Sequence, residues 1–427
     1  MATANKSSGG DRGLNDMLKD YMPYRLLSDE IIKRDYFLST VEKDQKWKGG
    51  QLQVPFLGAN ASSVSLGGLT SSTDIADDDF VRGIVDNYSE LWGTMQFHQR
   101  DLDSLSGGEG AFVDLIGDRI EVFAQTMKEA LSGQLLNGAD FDAVIGAGST
   151  LADGIVKVSR PELFQVGQKI EIDQGASGQA YYVRQVSLND STITIADSRN
   201  DSPATANVAA EIADGNKIYH PGSLDLSNGT VQNVFTSLPS QLLSAANGGD
   251  ATLFSRTKTA YPHLQAYNVT GDSAFVSGDR EAKVALAKIF DTQNTVRRLG
   301  RGNPSEAIMS YANYSCCMQE LELGRQYQAE VKDGNSYGWS EIQVTGVKGS
   351  LKLVAVPEMA DDKILILDKS SMKLHSDGFI ERRTAPDGKQ FFESRDATGY
   401  KYIVDHRFYG DLVVNKPSNN AIIHSVS

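Results

Sequence analysis

Seven apolar residues constrain this chain more than any others. Phe112, Ile116, Ile120, Phe123, Met127, Leu131 and Leu135 advance by three or four residues across 109–137. That spacing puts them on one side of a single long helix, with Asp114, Asp118, Glu121 and Lys128 elsewhere on its surface. Asn137-Gly138 supplies a helix stop. The stripe is expected to pack on a sheet built from strands near 400–414, which makes the helix the spine of its domain.

Around this helix the chain changes character several times. Residues 1–45 read as an extended polar arm. It has a short helical patch at Leu14, Met17, Leu18 and Tyr21 and another at Leu27, Ile31 and Ile32, and Pro23 prevents their fusion. Gln51-Leu52-Gln53-Val54 alternates as a half-buried strand does. A stretch rich in Gly, Ser and Asp follows at 58–79, then a second strand-like run over 80–97. This is the pattern of a long two-stranded excursion with a mobile tip, occupying 46–106 with its flanks. Residues 107–149 hold the spine helix.

Residues 150–220 form a separate β-rich module. Short strands are expected at 155–158, 169–172, 181–183 and 192–195, separated by turn signals such as Asp153-Gly154 and Asn189-Asp190. The run at 160–168 looks like the loop of a small barrel inserted into a larger domain. Beyond it, 221–427 is mixed. Helices are expected at about 228–247, 281–299 and 313–331, and strands at 351–356, 363–367, 400–405 and 411–414. In the second of these helices Ala285, Ile289, Gln293 and Val296 share a face that is only partly apolar.

Composition narrows the function classes. A chain of 427 residues suits two to four modules, and 40% hydrophobic with 22% charged residues is globular, so disorder is expected only at the termini. No apolar run reaches the length of a membrane span, and the small polar residues at 1–15 do not read as a secretory signal. The net charge of −14 argues against a protein that grips nucleic acid, which needs a basic face. It does not exclude a container for nucleic acid, since a wall that must release its contents should not neutralise many phosphates. The adjacent Cys316 and Cys317 are read as reduced thiols in a helix, made in a reducing cytoplasm.

The chemistry of an enzyme is not visible. His98, His220, His263, His375, His406 and His424 show no zinc-ligand spacing. No Gly-Lys-Ser/Thr phosphate loop occurs, and Gly300-Arg301-Gly302 runs into Asn303-Pro304, a turn before a strand. Gly271-Asp272-Ser273-Ala274 approaches a hydrolase elbow, but Phe275 stands where its second glycine belongs. Asp74, Asp77, Asp78 and Asp79 lack the order of a calcium loop and read as a solvated tip. Lys48, at the base of the excursion, reads as a solvated lysine. No catalytic, cofactor-binding or metal-ligating residue is assigned, and a structural role is expected.

Four segments of the second half resemble, in order, the major capsid proteins of tailed bacteriophages, the HK-ninety-seven-type fold. The first runs Ser237-Leu238-Pro239-Ser240-Gln241-Leu242-Leu243, Thr252-Leu253-Phe254-Ser255-Arg256 and Ala260-Tyr261-Pro262-His263-Leu264, keeping the family's Arg and Tyr-Pro but not its tryptophans. The second is Gly302-Asn303-Pro304-Ser305-Glu306-Ala307-Ile308-Met309-Ser310, with a helix after it. The third is the glycine-bounded strand at 346–357 followed by Lys363-Ile364-Leu365-Ile366-Leu367-Asp368. The fourth is Tyr409-Gly410-Asp411-Leu412-Val413-Val414-Asn415-Lys416-Pro417, closing on Ala421-Ile422-Ile423. The first half agrees in organisation only, and 150–220 has no counterpart in the minimal fold.

The resemblance implies an α+β chain. Its parts are an N-terminal arm (1–45), an extended loop (46–106), a peripheral-domain spine helix (107–149) and an insertion domain (150–220). An axial domain (221–370), peripheral strands (371–412) and a C-terminal strand returning to the axial domain (413–427) complete it. It implies self-assembly as pentamers and hexamers into a virion head enclosing double-stranded DNA without sequence-specific binding, built in the bacterial host cytoplasm. The implied partners are a separate scaffolding protein and a portal, with room for a decoration or cement protein, and no membrane. The competing readings are a phage tail, fibre or other virion protein and an encapsulin-like container. The helices at 109–137 and 281–299 argue against a fibre, and the inserted module argues against an encapsulin. An exposed hairpin and an extended arm also need partners to offset their ordering entropy and unpaired edges. Residues 58–79 are therefore expected to be cut readily by protease in the free subunit and more slowly after assembly; equal rates in both states would remove this expectation.

Overall fold

The computed structural model describes residues 35–45, 47, 51–57, 80–85, 89–98, 109–138, 140–146, 154–173, 178–198, 212, 215–232, 234–271, 285–299, 302–323, 342–346, 349–377, 381–382, 391–396 and 399–424. The expected arm up to residue 34, the tip at 58–79 and Lys48 lie outside the described residues. The fold is α+β. In chain order it begins with α1 (Tyr36–Thr40), β1 (Glu42–Asp44), β2 (Leu52–Leu57), β3 (Phe80–Val85), β4 (Ser89–His98) and α2 (Glu109–Leu136). There follow β5 (Asp140–Val144), β6 (Ile155–Lys157), β7 (Lys169–Asp173), β8 (Gly178–Ser187), β9 (Thr192–Ala196) and β10 (Lys217–Tyr219). Next come α3 (Leu238–Leu242), β11 (Thr252–Leu253), β12 (Arg256–Thr257), β13 (Tyr267–Thr270), α4 (Ala285–Leu299), β14 (Glu306–Met309) and α5 (Tyr311–Leu323). The chain closes with β15 (Ile342–Gly346), β16 (Gly349–Ala355), β17 (Lys363–Leu367), β18 (Met372–Ser376), β19 (Glu381–Arg382), β20 (Phe392–Asp396), β21 (Gly399–Val414) and β22 (Ala421–His424). It divides into two compact units, one of Met1–Gly49, Tyr88–Ser132 and His375–Asp411, the other of Gly50–Asn87, Gly133–Leu374 and Leu412–Ser427.

In the first unit β21 is the organising strand. The expected strands at 400–405 and 411–414 are one element of 16 residues. They are continuous because β4 pairs with β21 without interruption from Lys401↔His98 to Gly410↔Ser89. β20 and β19 pair along the opposite edge of β21. Gly93 faces His406 across the ladder, and a Cβ there would lie 2.5 Å from both Met127 Sδ and the Phe123 ring. A side chain there would force Phe123 and Met127 to move. The Phe123 ring packs 5.2 Å from the His406 ring, with Met95, Phe97, Val404 and Phe408 buried on the same face. The stripe thus meets this sheet as its spacing predicts, at β21 through Phe123 and at β4 through Met127. The side chains of Phe112, Ile116, Ile120 and Glu121 lie outside the described residues. Near its end the helix departs from a one-sided stripe, since Leu131, Ser132, Gln134, Leu135 and Leu136 are all buried.

The second unit contains two six-stranded sheets and the β2–β3 ladder. One sheet has the order β5-β10-β7-β8-β9-β6. Its outer strands are joined by an Ile145↔Val158 bridge, and Gly146 N–H donates to Lys157 O at 2.9 Å. The sheet is therefore a closed barrel, with Phe141, Ile170, Ile172, Tyr181, Val183, Ile193, Ile195 and Ile218 filling its interior. It starts earlier than the 150 read from the sequence, because β5 is the strand that closes it. The chain enters at Asp140 and leaves at Tyr219, which are cross-strand partners.

The other sheet has the order β13-β22-β17-β14-β16-β15. Leu286, Ile289 and Val296 of α4 and Cys317 of α5 cover one face, against Ala307, Met309, Leu351, Leu353, Ile364, Ile366, Ala421 and Ile423. Ile308, Leu365 and Ile422, which point the other way, are buried as well. The polar Gln293 is tolerated on the inner face of α4 because its Nε2 donates to Pro304 O at 2.8 Å. The helix expected over 228–247 is not formed, and α3 is a single turn of five residues. Upstream, Asp225 Oδ1 accepts from the N–H and hydroxyl of Ser227, and Asn228 Oδ1 accepts from those of Thr230. These local bonds hold a turn where a helix would need free backbone. Of the helix expected at 313–331, α5 accounts for the part to Leu323, and the rest lies outside the described residues. Expressed alone, residues 139–222 should fold and give dispersed amide NMR signals; a collapsed spectrum would show that the barrel depends on its host.

Candidate assembly elements

The residues that an enzyme would use are scattered. His98, His375, His406 and His424 sit on β4, β18, β21 and β22, His220 follows β10, and His263 lies in a short turn. Among the described residues no three His, Cys, Asp or Glu side chains gather as metal ligands, and no helix is long and apolar enough to cross a membrane. Cys316 and Cys317 are free thiols on α5. Asp74, Asp77, Asp78, Asp79 and Ser273 lie outside the described residues. Three arrangements among the described residues instead fix how the ladder, the barrel and the α3 segment are held.

The first is the root of the β2–β3 ladder, which pairs antiparallel from Leu52↔Val85 to Leu57↔Phe80. Val54 and Phe56 point into a cluster with Leu253, Phe254, Leu264 and Val413. Phe254 and Ser255 form the tip of the β11–β12 hairpin, and both have positive φ, 52° and 59°. Such conformations cost on the order of 1–3 kcal/mol each in residues other than glycine and persist only under tertiary restraint. The restraint is visible. Ile84 N–H donates to Phe254 O at 3.0 Å, Ser255 Oγ donates to Ile84 O at 3.2 Å, and Arg256 Nε donates to Arg82 O at 3.2 Å. A Cβ at Gly83 would lie 2.5 Å from Phe254 Cβ, so the hairpin fits only over a glycine. The sequence gives no turn signal at 254–255, because Asn-Gly or a similar pair is the usual choice for this geometry.

The second is the attachment of the barrel. Arg160 is buried, and its Nη1 and Nη2 donate to Met359 O at 3.1 Å and Pro357 O at 3.4 Å. The same turn receives Asn137, whose Nδ2 donates to Glu358 O and whose Oδ1 accepts from Ala360 N–H at 3.1 Å. Asn313 of α5 donates to Asp361 O at 2.8 Å. Helix end, barrel and α5 are thus tied to one turn between β16 and β17. Asn137 is legible in the sequence as a helix stop, but its second role rests on contacts more than two hundred residues away.

The third is the segment that carries α3. Gln241 is fully buried; its Nε2 donates to Leu412 O at 2.7 Å and its Oε1 accepts from Val414 N–H at 3.0 Å. Lys258, also buried, donates from Nζ to Ser240 O at 2.7 Å and Leu243 O at 2.8 Å. Burial pushes its pKa down to about 8, opposed by nearby Asp250. At neutral pH the ammonium form, which both carbonyls favour, prevails. Further on, Asn420 accepts from Asp368 N–H at 2.8 Å and donates to Ser371 Oγ at 2.8 Å, fixing β22 beside the end of β17.

No family model and no curated protein matches the chain. Among solved structures it is similar to the cyanophage A-1(L) capsid asymmetric unit, at 10% identity over 90% of each chain with a TM-score of 0.45. It is similar to the capsid of Myoviridae phage XM1 at 9% identity over 91% of each chain, with a TM-score of 0.41. It is also similar to an encapsulin complex from Synechococcus elongatus at 11% identity, over 100% of this chain and 93% of that one, with a TM-score of 0.39. These likenesses assign nothing on their own.

Arg160→Ala should lower the unfolding free energy of the unit by about 1.5–3 kcal/mol, the usual worth of charge-assisted bonds to buried carbonyls. Glu162, 3.1 Å from Arg160 and half exposed, should contribute less than about 1 kcal/mol when replaced by Ala. Urea denaturation of the two variants checks this, and an equal or reversed pair of shifts would show that Arg160 does not anchor the barrel.

Proposed function

We propose that the chain is the major capsid protein of a tailed bacteriophage, a shell subunit that assembles with copies of itself as pentamers and hexamers. One observation carries the reading. The four segments that resemble this family, spread over residues 237–423, converge in space. Segments two, three and four supply β14, β16, β17 and β22, which are successive neighbours in one sheet. Within the first segment, Gln241 bonds to the backbone of Leu412 and Val414 in the fourth. The segments that carry the resemblance are thus strands of one sheet and a turn bonded to the end of β21.

One physical feature supports the same reading. The net charge of −14 keeps the wall from neutralising the phosphates of its contents. A separate scaffolding protein, a portal and a location in the virion head belong to this proposal, as does assembly in the host cytoplasm.

Electron micrographs of the purified protein test it. Rings of five or six subunits, or closed shells, are expected. Rods would favour a tail protein, shells filled with protein cargo an encapsulin-like container, and persistent monomers at high concentration would overturn self-assembly altogether.

A further inference from the structure

Among the described residues the β2–β3 ladder is a two-stranded sheet, so each strand has an outer edge. On the β3 side, Ile84 N–H and Ile84 O both bond outward to the Phe254–Ser255 tip, and Arg82 O bonds outward to Arg256. Outward groups at Arg82 and Ile84 fix the hydrogen-bond parity of the ladder. In an antiparallel pair, directly opposed residues either exchange both of their bonds or both turn away. Gln53 opposes Ile84 and Pro55 opposes Arg82, so Gln53, Pro55 and, by alternation, Leu57 turn their backbone groups to the outer edge of β2. Pro55 stands at the centre of that edge and has no N–H to offer. Its side chain and that of Gln53 are exposed.

We propose that the root of the excursion is guarded on both edges against strand addition by β2 of a second copy: the β11–β12 hairpin covers β3, and Pro55 interrupts the donor row of β2. Copies then do not associate by open-ended growth of the two-stranded sheet. An unguarded edge of this kind templates its own addition, because identical strands present identical donor and acceptor rows. A proline at an outward position removes the central donor while leaving every inward bond of the ladder intact. The inference does not depend on the shell reading, since any protein with this ladder at high local concentration faces the same hazard.

The test compares the full chain carrying Pro55→Val, Pro55→Ala or Gln53→Val. Val and Ala at 55 both restore the N–H, and Ala does so without adding a β-branched side chain. Gln53→Val adds apolar, β-branched surface on the same edge where an N–H already exists. Sedimentation velocity and thioflavin fluorescence should show β-rich oligomers rising several-fold in both Pro55 variants and much less in Gln53→Val. Hydrogen exchange should then find the amides of Gln53 and Leu57 newly protected in those oligomers. Equal association in all three variants would assign the effect to hydrophobicity and overturn the proposal. So would Pro55 variants that behave as the parent, or that aggregate without protection at Gln53 and Leu57. If Pro55→Val fails to fold, Pro55→Ala carries the same decision.

Discussion

The turn between β16 and β17 is the constraint on which the second unit depends. Glu358, Met359 and Ala360 at its centre are buried, and a buried carbonyl or N–H without a partner is costly. No strand reaches it. Asn137, Arg160 and Asn313 satisfy it instead, from the end of the long helix, the barrel and α5. These are side chains of the kinds best suited to the task. Asn offers a donor and an acceptor to peptide groups two residues apart, and Arg spans two carbonyls with one planar group. The two strands flanking the turn lie in a sheet buried on both faces, so the turn cannot shift to accommodate its partners, and they must accommodate it.

A second organising principle is the conversion of exposed strands into closed or covered ones. The barrel has no edge because Ile145 and Val158 bridge its outer strands. β21 is paired along both sides by β4, β20 and β19. The ladder of β2 and β3 cannot close, and it is there that two strained residues and a proline are found. Strain at Phe254 and Ser255 is thus placed where the alternative would be an open row of backbone groups.

How much of this was legible in the sequence followed from the range of the interaction concerned. The stripe containing Phe123 and Met127 was legible because a helix repeats its exposure every few residues, and the strand at 363–367 because acidic residues bracket an apolar run. The start of the helix expected from 228 falls in a turn instead, since Asp225 and Asn228 bond to their own neighbours and apolar spacing does not register that. β5 was assigned to the spine region because its membership in the barrel depends on Tyr219, far along the chain. The three-way tie to 357–361, the Gly83–Phe254 seat and the parity of Pro55 all require two distant segments to be placed together, which no local pattern encodes.

The barrel enters and leaves its host through the facing pair Asp140 and Tyr219. Opposed residues in a ladder are separated by about 5 Å, a gap that a residue or two of chain can span. A lineage could therefore acquire, lose or replace this whole module in a single recombination event, without re-routing any strand of the sheet beneath it. What would need repair afterwards is specific: the carbonyls of Pro357 and Met359, left by Arg160, the N–H groups of Gly222 and Leu224, left by the Glu171 carboxylate, and the carbonyl of Leu226, left by Gly178. Variation among descendants should accordingly be discontinuous at this joint, with the host changing gradually while its appendage is swapped whole.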